Sequence, residues 1–121
     1  MAKLLVIDDE GDIRHLFAAE LEEDGHEVCT AGNSRDALAL LHSTEFDLVI
    51  LDIQLDQESG LELLQKIARE RGQLPVILCT AFSSYRDDFS SWLADAYVVK
   101  SSDLNELKEQ VRQVLAHRTA G

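Results

Sequence analysis

Apolar residues along this chain fall into two alternating rhythms. Leu4 to Ile7 is a short unbroken apolar run closed by Asp8 and Asp9, which predicts a buried strand with acids at its C-terminal end. Ile13, Leu16, Phe17 and Leu21 then share one face of a helix, closed by Gly25. Glu27 to Ala31 predicts a second strand around Val28 and Cys29. Ser34 is placed to cap a helix running to about His42, with Ala37, Leu38 and Leu41 inward. A third strand spans Phe46 to Leu51 and ends at Asp52, and Ile53 to Ser59 reads as a loop. Leu61, Leu64, Ile67 and Ala68 line a third helix that stops near Gly72. Pro75 leads into a fourth buried strand, Val76 to Cys79, ending at Thr80 and Ala81. Phe82 to Asp95 has no clean period, and one short helix through Phe89, Trp92 and Leu93 is expected there. Ala96 to Val99 is a fifth strand ending at Lys100. Asp103 and Glu106 have capping-box spacing, and Leu104, Leu107, Val111, Val114 and Leu115 line the last helix.

Strand and helix therefore alternate five times. Most strands are continuous apolar runs, as strands covered on both faces must be. The expected fold class is α/β: a doubly wound, five-stranded parallel sheet with helices on both faces and right-handed crossovers. With 121 residues and no repeat or linker, residues 1–121 are expected to form a single domain.

Composition narrows the function. Apolar residues make up 45% and charged residues 28%, ordinary for a globular protein. No apolar run approaches the roughly 18 residues of a membrane span, and the run after Lys3 is too short for a signal-peptide core. A cytoplasmic location and no membrane partner are expected. Cys29 and Cys79 lack metal or redox spacing and read as buried small hydrophobes. There are 23 acids and 11 bases, a net charge of −12. Residues 1–60 hold 15 of the acids and 3 of the bases, so the whole imbalance lies in that half. Nothing basic exists to displace counterions from a phosphate backbone, so nucleic acid is not an expected partner. Glu20, Glu22, Glu23 and Asp24 crowd the last turn of the first helix, where the helix dipole disfavours anions. They are either a docking surface for a basic partner or a solvated face.

In open parallel α/β sheets, function gathers beyond the C-terminal ends of the strands. The sequence places Asp8 and Asp9 there from strand one, Asp52 from strand three, Thr80 from strand four and Lys100 from strand five. Taken singly, each has a plain explanation as a turn or surface residue. Jointly those explanations fail, because a residue of the needed type ends four of the five strands. Clustered carboxylates repel one another, and a hard divalent cation such as Mg²⁺ relieves this. A carboxylate is also a nucleophile toward phosphorus. An ammonium and a hydroxyl can then hold the remaining phosphoryl oxygens.

With these residues in place, the chain resembles the response-regulator receiver domains of two-component signal transduction, of the single-domain, chemotaxis-regulator type. The resemblance runs from Leu4 to Leu115. It is carried by Val6-Ile7-Asp8-Asp9-Glu10, Asp52 with Gly60 eight residues later, Pro75-Val76-Ile77, Thr80-Ala81 and Ala94-Asp95-Ala96-Tyr97-Val98-Val99-Lys100. It implies a flavodoxin-like strand order 2-1-3-4-5. It implies Asp52 as the phosphoacceptor. Asp9, Asp52 and the Gln54 carbonyl would bind Mg²⁺ directly, and Asp8 through water. Lys100 would pair with the phosphoryl group, Thr80 would hydrogen-bond it and move inward, and Tyr97 would change ring position in response. Catalytic roles thus fall to Asp52, Lys100 and Thr80, and switching to Thr80 and Tyr97. The signalling face would hold Trp92, Tyr97, Lys108 and Arg112, and Gln54 and Phe82 would tune the phosphate lifetime.

The implied function is a phosphorylation-dependent switch fed by a histidine kinase or phosphotransfer protein. It would act on an unidentified downstream protein, as a monomer or weak dimer, with no turnover beyond self-phosphorylation and autodephosphorylation. The alternative is a degenerate receiver acting as a constitutive interaction module. An aspartate-nucleophile phosphatase fits poorly, because Asp8-Asp9-Glu10 and Asp52-Ile53-Gln54 both miss the Asp-x-Asp that class wants. Two departures from the family pattern bear on the site. Ser101 stands where a cis proline usually follows the lysine. A cis non-proline bond costs about 2.5–4 kcal/mol, so either a trans bond with a shifted loop or a strained cis bond is expected. Leu55 and Asp56 replace the usual Met-Pro pair, which adds a carboxylate to an anionic loop. The stretch from Thr80 to Lys100 is also slightly short for the family.

Overall fold

The structure, a computed structural model, describes residues 2–55, 58–81, 93–101 and 103–120. The readings placed on Asp56, Phe82, Phe89 and Trp92 lie outside these residues. Among the described residues eleven elements follow one another: β1 (Lys3–Ile7), α1 (Gly11–Glu23), β2 (Glu27–Ala31), α2 (Ser34–Ser43), β3 (Leu48–Leu51), β4 (Gln54–Leu55), β5 (Glu58–Ser59), α3 (Gly60–Glu70), β6 (Val76–Thr80), β7 (Ala96–Val99) and α4 (Asn105–Ala120). Five strands form one parallel sheet in the order β2-β1-β3-β6-β7, which is the expected 2-1-3-4-5 order.

The apolar runs are explained by burial on both faces. Alternate side chains of one strand enter different cores, as the two-residue period requires. Leu5, Ile7, Val49, Leu51, Val76 and Leu78 pack with Ala37 and Leu41 of α2 and with Leu63, Leu64 and Ile67 of α3. Leu4, Val6, Leu48, Ile50, Ile77 and Cys79 pack with Phe17 and Leu21 of α1 and with Leu107 and Val111 of α4. Each such aliphatic side chain contributes about 1.5–3 kcal/mol when fully buried. Among the described residues, no helix is long and apolar enough to cross a membrane.

Several local expectations are corrected. Asn33, not Ser34, caps α2, its Oδ1 accepting from the Asp36 amide at 2.8 Å. The segment expected to be a loop after Asp52 contains a short antiparallel ribbon, with Gln54 opposite Ser59 and Leu55 opposite Glu58. Asp103 does not close a capping box with Glu106. Its carboxylate accepts from the Asn105 amide, and its own amide donates to Ser101 Oγ. Leu16 lies at the outer margin of the apolar face of α1 and is 47% exposed, whereas Phe17 and Leu21 are buried. Cys79 is buried and free, and burial pushes its thiol up to about 12. Cys29, on the edge strand β2, is only half-buried. The crowded acids at the end of α1 find a partner within the chain: Lys108 of α4 lies 3.7 Å from Glu20 and 3.9 Å from Asp24. Arg112 pairs with Glu109 on its own helix.

Candidate functional site

Parallel strands align their C-terminal ends, and the side chains that follow them share one edge of the sheet. Here that edge holds the buried polar and charged residues of the chain's described part, Asp8, Asp52 and Thr80. Backbone bonds extend the strand ladder to each of them. The Asp8 amide donates to the Ala31 carbonyl at 3.1 Å, the Asp52 amide to the Ile7 carbonyl at 3.0 Å, and the Lys100 amide to the Thr80 carbonyl at 2.7 Å.

Lys100 reaches across the edge. Its Nζ lies 2.7 Å from Asp8 Oδ2 and 2.9 Å from Asp52 Oδ2, with Glu10 Oε1 at 3.7 Å. No cis peptide bond occurs among the described residues, so Lys100–Ser101 is trans, and the ammonium still sits between the two aspartates. Ser101 contributes at the same loop by accepting from the Asp103 amide at 3.1 Å.

The charges do not balance. Asp8 and Asp52 are 2% and 5% exposed, and one ammonium faces both. Burial, opposed by the Lys100 hydrogen bond and charge, raises the Asp52 carboxyl above its ordinary value, and the neighbouring Asp8 charge adds to the rise. Burial disfavours the charged form of Lys100, but its bonds to Asp8 and Asp52 outweigh this and raise its pKa. An isolated ion pair would lower the acid while raising the base. Burial of the carboxylate outweighs the ammonium and explains why Asp52 moves the other way, with the second carboxylate, Asp8, adding to the rise.

Asp9 and Glu10 follow Asp8 and face solvent. Oxygens of all three carboxylates come within 4.8 Å of one another, a spacing that can hold a hard cation. Gln54 is exposed, and its amide donates to Asp52 Oδ1 at 3.2 Å. Thr80 is fully buried at the end of β6. Tyr97, opposite Leu78 on β7, is half-buried against the α2/α3 core.

The sequence reading assigned no role to three residues here. Glu10 belongs to the acidic group. Arg14 donates from Nη1 to the Asp8 carbonyl at 2.6 Å. Side chains in a helix lean toward its N-terminus, so a long residue in the first turn can reach the preceding loop, and that signal was available for Arg14. Gly60 supplies space: a Cβ there would stand 2.0 Å from the Asp52 carbonyl oxygen and 2.8 Å from Ile53 Cα.

Comparison with known proteins decides the family. The family model described as "Response regulator receiver domain" matches residues 4–112. The chain belongs to the response regulator receiver family. Among solved structures, this receiver is 48% identical to the response regulator TrrA of Thermotoga maritima, crystallised in complex with Mg²⁺-BeF. That match has a TM-score of 0.91 and covers 94% of this chain and 99% of that one. TrrA in complex with the histidine kinase ThkA is 49% identical, with a TM-score of 0.89, covering 95% of this chain and 99% of that one. Among curated proteins, a probable transcriptional regulator, ycf27 of Galdieria sulphuraria, is 36% identical over 115 residues, covering 93% of this chain but 45% of the relative. The receiver spans about half the length of the curated relatives it matches.

Proposed function

We propose that this receiver is a phosphorylation-dependent signalling switch, with residues 1–121 acting as one unit and Asp52 as phosphoacceptor. The observation that carries the reading is the joint placement of Asp8, Asp52 and Lys100, with the ammonium within 3 Å of both carboxylates. Thr80 ends the neighbouring strand.

The residues present fit a divalent cation. Three carboxylates gather beside an Asp52 whose pKa is raised, and a single lysine leaves the pocket net negative. Asp8, Asp9, Asp52 and the Gln54 carbonyl would hold Mg²⁺, with Glu10 as a further oxygen donor. TrrA, crystallised with Mg²⁺-BeF, supports this choice of ion. When bound, Mg²⁺ supplies positive charge that offsets the repulsion between carboxylate and phosphoryl oxygens.

In the reaction an Asp52 carboxylate oxygen attacks phosphorus, forming the acyl phosphate as the bond from phosphorus to the donor imidazole nitrogen breaks. Asp52 must be ionised to attack. Lys100 would exchange its bond to Asp52 for one to a phosphoryl oxygen while keeping Asp8. Thr80 would donate its hydroxyl to another. Thr80 and Tyr97 lie on paired strands, so a shift at Thr80 is felt at the half-buried ring, which would alter the surface offered to a downstream protein. The kinase complex of TrrA supports a histidine kinase as the phosphodonor. The degenerate-receiver reading rested on Ser101 and Asp56, and the placement of Lys100 weakens the first of these grounds.

The test is intact mass after incubation with Mg²⁺ and acetyl phosphate, with Asp52→Asn alongside. One phosphoryl increment is expected in the wild type, lost without Mg²⁺ and absent in the variant. No increment at any time point would return the constitutive interaction module to first place.

A further inference from the structure

The turn that carries the acidic residues is held by a side chain outside it. Three bonds fix Asp8 and the residue two places on. The Asp8 amide donates to Ala31 of β2, the Glu10 amide donates to Asp8 Oδ1 at 2.9 Å, and Arg14 Nη1 donates to the Asp8 carbonyl at 2.6 Å. The first two are common turn and sheet devices. The third brings a long cationic side chain back from the first turn of α1, and the adjoining backbone leaves room for it. A Cβ on Gly32, directly after β2, would stand 2.9 Å from Arg14 Nη1 and 3.4 Å from its Cζ. Gly32 has no positive φ to account for it, since Gly25 alone among the described glycines does. Space for the guanidinium is the constraint at Gly32.

We propose that Arg14, seated against Gly32, is a positioning residue for the cation site: by holding the Asp8 carbonyl it fixes the Asp8–Glu10 turn so that the carboxylates face a common point. The inference rests on the metal-dependent reading above. Its sign is opposite to that of simple electrostatics. A guanidinium beside a cation site repels the ion, so if Arg14 acted only through charge, its removal would tighten Mg²⁺ binding. If it acts by holding the turn, its removal weakens binding, because the oxygens must then be ordered at the ion's expense.

The experiment measures Mn²⁺ occupancy of the full chain by electron paramagnetic resonance, and its displacement by Mg²⁺, with no phosphodonor present. Arg14→Ala is expected to weaken both ions by about tenfold. Arg14→Lys, which keeps a donor and a charge, recovers part of the loss. Gly32→Ala pushes only the tip of a flexible side chain, so the fold tolerates it, yet it too weakens binding severalfold. In the Arg14→Ala background the Gly32→Ala change has no further effect, since the group it displaces is gone. Unchanged or tighter binding in Arg14→Ala, or a Gly32→Ala effect that persists without Arg14, overturns the proposal while leaving the metal reading intact. A wild type that binds neither ion removes the metal reading itself, and this inference with it.

Discussion

Lys100 stands between two carboxylates that are almost out of contact with water, so removing its ammonium leaves both without a counter-charge. Lys100→Ala is therefore expected to lower unfolding stability by about 3 kcal/mol at pH 7, read from urea denaturation. Added Mg²⁺ should return part of the loss. An unchanged midpoint would mean that the two carboxylates are solvated. The pH dependence follows from the two shifts. The Lys100 pKa is raised above its ordinary 10.5, so its contribution is complete below that pH and is lost only as pH climbs through the higher folded value. The Asp52 pKa is raised above 3.8, so ionising it costs stability as pH rises from there through its folded value. Asp52→Asn should match the wild type below pH 3.8 and exceed it in stability at pH 7 without metal. Asp8, Asp52, Thr80 and Lys100 were legible in the sequence because each directly follows or ends an apolar run. Glu10 was not, because its part in the site depends on how α1 leaves β1, a geometry no run of residue types records. For Arg14 the only signal was the N-terminal lean of a long side chain in the first turn of a helix.

The same contrast holds between elements. The five strands and their order were legible because burial on both faces imposes a continuous apolar pattern. Ends and short pieces were not. Asn33 and Ser34 are both good capping residues, and only the backbone at Asn33, extended at φ −158°, settles which one serves. The β4–β5 ribbon has two residues on each side and no room for a period. Its position is fixed from outside, by the Gly60 amide donating to the Ile53 carbonyl at 2.5 Å and by Glu58 Oε1 accepting from the Ser34 amide at 2.9 Å. Gly60→Ala should cost about 3 kcal/mol, because its Cβ meets backbone that cannot yield. It should also slow phosphoryl incorporation, since the atom it strikes belongs to Asp52. Asn33→Ala should cost about 1 kcal/mol through the lost cap and leave incorporation at the wild-type rate. Equal effects of the two substitutions on phosphoryl incorporation would show that Gly60 serves α3 and not Asp52.

At the scale of the whole molecule the charge surplus has two components that respond to different ions. The net charge of −12 is spread over a small surface, and the end of α1 shows its local cost. There the bond to Glu20 and the Glu20 charge push the Glu23 carboxyl above its ordinary value, despite Lys108 nearby. Such repulsion between exposed groups is diffuse and yields to any salt. The screening length falls from about 30 Å at 0.01 M to about 8 Å at 0.15 M ionic strength. The pocket at the strand ends is different, because its carboxylates are buried or converge within a few ångströms, and screening reaches them poorly. The melting temperature should therefore rise with NaCl across that range in every variant. A few millimolar Mg²⁺ at constant ionic strength should add a further rise that saturates, as binding to the native state alone requires. Asp9→Asn and Asp52→Asn should lose the Mg²⁺ increment and keep the NaCl increment. If the Mg²⁺ increment survived in both, the ion would be acting on the acidic surface at large, and the convergence of carboxylates at the sheet edge would not be a binding site.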